Sequence, residues 1–369
     1  MPKRKTAEPA ATEQPVVAWK GFDKNLQCRG YQFEVGKTYE HTGRVEACHS
    51  GFHACENPMD VWGYYGLGEG NRFARVTLSG ELARHGDDTK VAGGRITIGA
   101  EVRLSDMIRA AVDWVIAATR AKGDHPSGHY AQIGSSGHYA QIGSSGDRAQ
   151  IGSSGDRAQI GSSGYSAQIG SSGYYARIGS SGDSAQIGSS GYSAQIGSSG
   201  HYARIGSSGH YARIGSSGYY ARIGSSGYYA RIGSSGYSAQ IGSSGDRARI
   251  GSSGDRAQIG SSGHYARIGS SGYYARIGSS GDRAQIGSSG DSAQIGSSGD
   301  LARIEASGKD AVVACAGRDA WVKAGAGGAI CIPYHDGKRI RFAVGYVGED
   351  GIKPDTWYRA EGGKMVEVA

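Results

Sequence analysis

No stretch of this chain is apolar for long enough to span a bilayer, and its N-terminus carries nothing that reads as a signal peptide. Cysteine is sparse: Cys28, Cys48, Cys55, Cys315 and Cys331 make an odd number with no Cys-x-x-Cys knuckle. These absences predict a protein of the reducing cell interior, cytoplasmic, with no membrane partner. Excess charge is small, 40 basic against 33 acidic residues and a net charge of +7. Most of it falls on residues 128–307, with 14 basic against 9 acidic, which suits a solvated surface as well as a polyanion partner.

What the chain does have is repetition. One nine-residue unit recurs twenty times over residues 128–307, starting with Gly128-His129-Tyr130-Ala131-Gln132-Ile133-Gly134-Ser135-Ser136. Gly, Ala, Ile, Gly, Ser and Ser barely change; variation is concentrated in the pair after the first Gly and the Gln or Arg between Ala and Ile. Ala and Ile, two residues apart, share one face of an extended strand, with Gln or Arg on the other. The Gly-Ser-Ser-Gly step supplies residues free to take positive φ at a corner. A short strand plus a corner every nine residues predicts a mainly β fold, a repetitive β-solenoid of the β-roll or parallel β-helix kind. Two units per turn would give a rod of about 48 Å, three a shorter triangular one, and the period leaves both open.

Stacking has to hold such a unit. One buried Ile contributes about 1.5–3 kcal/mol, whereas ordering each backbone residue costs about 1–2 kcal/mol. A lone unit is unfolded; pairing from coil to coil, with ladders of Ser, makes the rod. A flexible Gly/Ser linker would have no reason to keep Ala and Ile in phase. Calcium rolls of the same period need an Asp that most copies lack.

The flanks predict caps. Residues 1–15 read as a disordered tail, 16–127 as an α+β domain, 128–307 as the solenoid and 308–369 as a small β cap. In the first domain, strands are expected over 17–22, 31–35 and 72–78. A short helix opens with Asn57 as N-cap and Pro58 at the first position. A second helix, capped by Ser105, carries Met107, Ile108, Ala111, Val112, Val115 and Ile116 on one stripe and is expected to plug the first solenoid turn. After Gly308 the period fades; strands over 330–333 and 340–345 precede a hairpin through Glu349-Asp350-Gly351.

Three groups of residues could carry function. Cys28, Cys48, His53 and Cys55 could supply zinc with four N/S ligands, although buried thiols pack cores just as readily. His335-Asp336 has no nucleophile near it in sequence and reads as a turn. On the array, Tyr and Arg recur two residues apart: Tyr202 and Arg204, Tyr211 and Arg213, Tyr220 and Arg222, Tyr229 and Arg231, Tyr265 and Arg267, Tyr274 and Arg276. Placed on one face, they would stack on each other, bind a nucleic acid or other polyanion, or form a protein interface. No cofactor is expected.

Two resemblances add to this. The run Ser50-Gly51-Phe52-His53-Ala54-Cys55, with Trp19-Lys20-Gly21, resembles segments of ADP-ribosyltransferase-like domains. That likeness implies an enzyme whose glutamate would be Glu101. A closer likeness covers about residues 16–120, through Lys20-Gly21-Phe22, Cys28-Arg29-Gly30, residues 33–39, residues 51–58 and Asp88-Thr89-Lys90-Val91. It is similar to an uncharacterised family of bacteriophage and prophage proteins that carry such a domain ahead of tandem nonapeptide repeats. The sequence thus points to a non-enzymatic binding or scaffold protein whose solenoid recognises a host or phage macromolecule, with a nucleic-acid binder and an ADP-ribosyltransferase-like enzyme as alternatives.

Overall fold

The computed structural model describes residues 14–67, 70–84, 88–121 and 128–368, so all but the last two residues of the expected tail lie outside it. Packing divides the chain into two units, Met1–Tyr65 with Asn71–Arg103, and Gly66–Gly70 with Leu104–Ala369. The second helix thus belongs with the solenoid, and the border falls at Arg103.

The N-terminal unit is built on β1 (Val16–Phe22), β2 (Gln27–Cys28), β3 (Tyr31–Gln32), β4 (Thr38–Glu40), β5 (Phe52–Cys55), α1 (Pro58–Val61), β6 (Arg72–Arg84) and β7 (Lys90–Val102). The larger sheet runs β4-β7-β5-β1-β6, and β6 pairs back onto β7, so four antiparallel strands close a ring. β6 and β7 can do this because each is thirteen residues long and their pairing shifts at Ala74/Val76 and Ser79/Leu82. Ala18, Phe22, Phe33, Val76, Leu78, Ile96 and Ile98 fill the core. Asn57 caps α1 as expected, its side chain accepting from the Met59 N–H at 3.0 Å. The expected strand over 31–35 shrinks to two residues, whereas β7 is longer than anything the sequence suggested.

In the solenoid each unit gives one four-residue strand, from β8 (Gln132–Ser135) and β9 (Gln141–Ser144) at nine-residue steps to β27 (Arg303–Ala306). Every strand pairs in parallel with the strand eighteen residues away, as Ile205 does with Ile223 and Ile214 with Ile232. Two units therefore make one turn, and two sheets form, one starting at β8 and the other at β9. About 11 turns span residues 132–331, so β28 (Val312–Cys315) and β29 (Trp321–Ala324) continue the coil after the exact repeat ends. Ala, Ile and the first Ser of each unit point inward; from Ala149 onward every array Ala and Ile is 4% exposed or less.

The corners differ from expectation. No glycine of the exact repeat takes positive φ; the second residue of the variable pair does so instead, at Tyr139 and Arg157 and in every unit from Arg247 to Leu301. The first Gly of each unit has another job. A β-carbon on Gly209 would collide with the Gly191 carbonyl one coil below, and the same holds along the array. Ser ladders form through the backbone, Ser217 N–H donating to the Ser198 carbonyl at 3.0 Å. The inward hydroxyl turns locally, as Ser198 Oγ accepts from Gly200 N–H at 3.4 Å.

Helix α2 (Leu104–Ala121) starts one residue before Ser105, which therefore lies inside its first turn. It does not plug the rod's end. It packs on the outer face of the β9 sheet, from β9 (Gln141–Ser144) as far as the strand at Arg213–Ser216. At the C-terminus each sheet ends in an antiparallel hairpin, β30 (Ala329–His335) with β31 (Ile340–Tyr346) on the β8 sheet, and β32 (Thr356–Glu361) with β33 (Lys364–Glu367) on the β9 sheet. Glu349-Asp350-Gly351 turns the chain between the two sheets; it is not a hairpin. His335 and Asp336 form a turn, accepting backbone N–H groups from Gly337, Lys338 and Arg339. No described helix is long and apolar enough to cross a membrane.

Candidate functional site

The Gly of each Ile-Gly-Ser step points out of the sheet. The two sheets therefore carry two outward columns of glycine, each a trough floored by backbone. On the β9 sheet α2 fills the trough. Val115 faces Gly161, where an added β-carbon would lie 3.1 Å from it, and Ile116 and Thr119 crowd Gly143. Leu67 takes up the same position over Gly215, 2.9 Å from where a β-carbon would sit. Glycines 143 to 215 of this column are buried as a result.

On the β8 sheet every glycine from Gly134 to Gly296 is exposed. From Gly134 to Gly296 an added β-carbon would meet nothing within 4 Å, and none has positive φ. The trough holds about 1740 Å³ and runs from Gln132 to Val312 and Ala314. Up to Gln294 its rim is amide and guanidinium, exposed glutamines interrupted by Arg204, Arg222 and Arg276, and Val312 continues it. At its far end β31 exposes Phe342 and Val344 by more than half of their surface, beside Ile340 and Tyr346. Neither this column nor its apolar end was singled out from the sequence. The signal was available: an invariant Gly inside a strand weakens it unless something approaches closely.

The tyrosines and arginines read from the sequence do not make one stripe. Successive units face opposite ways, so Arg204, Arg222 and Arg276 lie on the β8 sheet while Arg213, Arg231 and Arg267 lie on the β9 sheet. The tyrosines sit in the turns at the two edges. Tyr202 stacks on Tyr220 at 5.4 Å on one edge, and Tyr211 on Tyr229 at 5.2 Å on the other. Longer ladders run beside them, Tyr174, Tyr192, His210 and Tyr228 at 4.9, 5.2 and 5.3 Å, and His201, Tyr219 and Tyr237 at 5.2 and 5.0 Å. The coil spacing of about 4.8 Å nearly matches a ring stack.

Arg148, Arg157, Arg247, Arg256 and Arg283, which lie against tyrosine rings, come from Asp-Arg units. Arg247 lies 5.7–5.9 Å from the rings of Tyr228, Tyr229 and Tyr265, and Arg283 lies 5.5 Å from Tyr265. The Asp of such units accepts the backbone N–H eighteen residues on, as Asp246 does from His264 at 2.7 Å. Tyr202 and Arg204 do share one shallow groove, with Tyr130 and Arg148. Tyr274 is 58% exposed. Arg267 lines a second groove on the β9 sheet beyond α2, with Arg231, Arg249 and Arg303, closed by Trp357.

The cysteine and histidine candidates line a different feature, a pocket of about 600 Å³ in the N-terminal unit. They are not gathered as ligands: among the described residues no three His, Cys, Asp or Glu side chains meet as a metal would require. His53 Nε2 accepts from the Cys48 N–H at 3.0 Å, and Cys28 Sγ lies 3.5 Å from the Lys20 ammonium. Cys55 is buried, paired opposite Trp19. Burial, with the charges of Lys20, Lys90 and Arg29, lowers the His53 pKa, and burial lowers that of Lys20. Burial and a bond to Asp88 push the Tyr64 hydroxyl up to about 12. Glu101 is not part of the pocket lining; its carboxylate pairs with Arg72, which lowers its pKa.

Fold and surfaces together define a two-sheet β-solenoid repeat protein with an N-terminal α+β domain. Residues 16–110 of the chain match a family model described as a domain of unknown function, DUF7666. No curated protein and no solved structure matches the chain.

Proposed function

We propose that the protein is a non-enzymatic docking scaffold whose β8 face holds an amphipathic helix of a partner protein. One observation carries this: the chain seats its own helix α2 on the same glycine column of the opposite face. Side chains in the glycine column are compatible with the solenoid, because Glu305, Ala314 and Lys323 occupy the equivalent outward positions near its end. The partner helix would carry a stripe of small or β-branched residues, as Val112, Val115 and Thr119 do. Carboxylates at its margins would answer Arg204, Arg222 and Arg276, which share their rim with no acidic side chain of the described residues. Phe342 and Val344 would anchor one end. The resemblance to phage-borne proteins makes a host or phage protein the natural candidate. Binding of nucleic acid has less support, since the central tyrosines stack on one another and the arginines divide between two faces.

A display library of helical peptides selected on the full chain tests this. Selected peptides should share an apolar stripe at i, i+3, i+4 and i+7 and lose at least tenfold in affinity for the Gly206→Val/Gly224→Val/Gly242→Val chain. Peptides without such a stripe, or indifferent to the three valines, would sink the proposal.

A further inference from the structure

Lys20 is an uncommon residue for the wall of a pocket. It is 6% exposed, its ammonium donates to the His53 carbonyl at 2.9 Å, and it lies 5.3 Å from the Phe33 ring and 5.7 Å from that of Phe22. No carboxylate of the described residues lies within ion-pair distance of it. Charges this buried are ordinarily paired. Arg29, His49 and Lys90 line the same pocket, and among the described residues its lining contains no Asp or Glu. The Asp88 carboxylate is engaged by the Tyr64 hydroxyl, which also accepts from Lys90 Nζ at 2.9 Å. The positive field reaches His53, whose pKa is lowered by burial and by three of these cations.

The rest of the wall is aromatic. Tyr31 and Tyr64 expose about half of their surface, and Trp19 and Phe52 also line the pocket. Two of the lining residues, Arg29 at φ 51° and Cys48 at φ 72°, hold a left-handed backbone that side chains other than Gly seldom adopt, a form of strain that gathers at ligand sites. A volume of about 600 Å³ fits a small molecule and excludes a folded segment. Cations in excess of the carboxylates described around them call for an anion; flat exposed rings call for a flat partner.

We propose that this pocket binds a free nucleotide, its phosphate held by Lys20, Arg29 and Lys90 and its base against the aromatic wall. This site is independent of the solenoid face, so either can fail alone.

Titration calorimetry on the full chain decides it, with the nucleoside mono- and diphosphates of four bases, the matching nucleosides, inorganic phosphate and a phosphotyrosine peptide as probes. At least one nucleotide should bind tenfold or more tighter than both its nucleoside and phosphate alone. Lys20 lies in the core and its replacement risks misfolding, so Arg29→Gln and Lys90→Gln carry the mutational arm; each should weaken that nucleotide about fivefold or more. The proposal is overturned if no nucleotide exceeds phosphate alone, if the phosphotyrosine peptide outbinds every nucleotide, or if both variants bind like the parent.

Discussion

The two glycines of each unit look alike in sequence and do opposite things. Gly209 opens its unit, and any β-carbon there would meet the carbonyl of Gly191. Gly206, three residues earlier, has open space around it and an ordinary strand backbone. Gly209→Ala should therefore destabilise by about 1–3 kcal/mol, the usual cost of forcing atoms into a packed site. Gly206→Ala should be neutral or stabilise by up to about 1 kcal/mol, since Gly weakens a strand interior. Urea midpoints of the two variants check the contrast; equal losses would mean that the outward column also has a structural role. The turn pair shows a similar division. Its identity is free, but from Arg247 to Leu301 its second residue is held at positive φ in every unit, by neighbouring coils and not by its own preference.

Helix α2 is the element whose placement matters most. Its stripe of Met107, Ile108, Ala111, Val112, Val115 and Ile116 is buried throughout, as periodicity requires, but on the side of the rod and not on its end. Periodicity names the apolar face of a helix and says nothing of what covers it. Val115, fully buried against the glycine column, is the point to break. Val115→Asp should speed amide exchange across residues 104–121 at least tenfold, about 1.4 kcal/mol of local stability. Strands beyond Arg231 should keep their protection. If the whole array loses protection instead, α2 nucleates the rod and does not simply lie on it.

For the whole molecule, two units per turn make phase a controllable variable. Deleting eighteen residues, such as 201–218, removes one coil and leaves the β30–β31 hairpin on the β8 sheet. Deleting nine, such as 201–209, moves that hairpin and its Phe342 and Val344 onto the sheet that carries α2. Stability in stacked repeats is close to a sum over neighbours, so both deletions should fold, with a small loss per unit removed. Peptides selected on the parent should bind the eighteen-residue deletion nearly as well. They should lose several-fold on the nine-residue one, measured by fluorescence anisotropy. Equal binding by both would show that the apolar end is no anchor.

By itself the sequence determined the solenoid, because Ala and Ile held two residues apart in every copy admit one buried face and one strand period. It also determined the N-cap at Asn57 and the turn at His335-Asp336, where a side chain bonds its own neighbouring backbone. Only the tertiary structure decided the rest. The number of units per turn depends on how corners stack, and that choice divides the Tyr and Arg residues between two faces and two edges. The pocket around Lys20 joins residues 19 to 90, brought together by long-range strand pairing that no local spacing encodes. The open glycine column became a candidate site only once α2 was seen filling its counterpart on the other sheet.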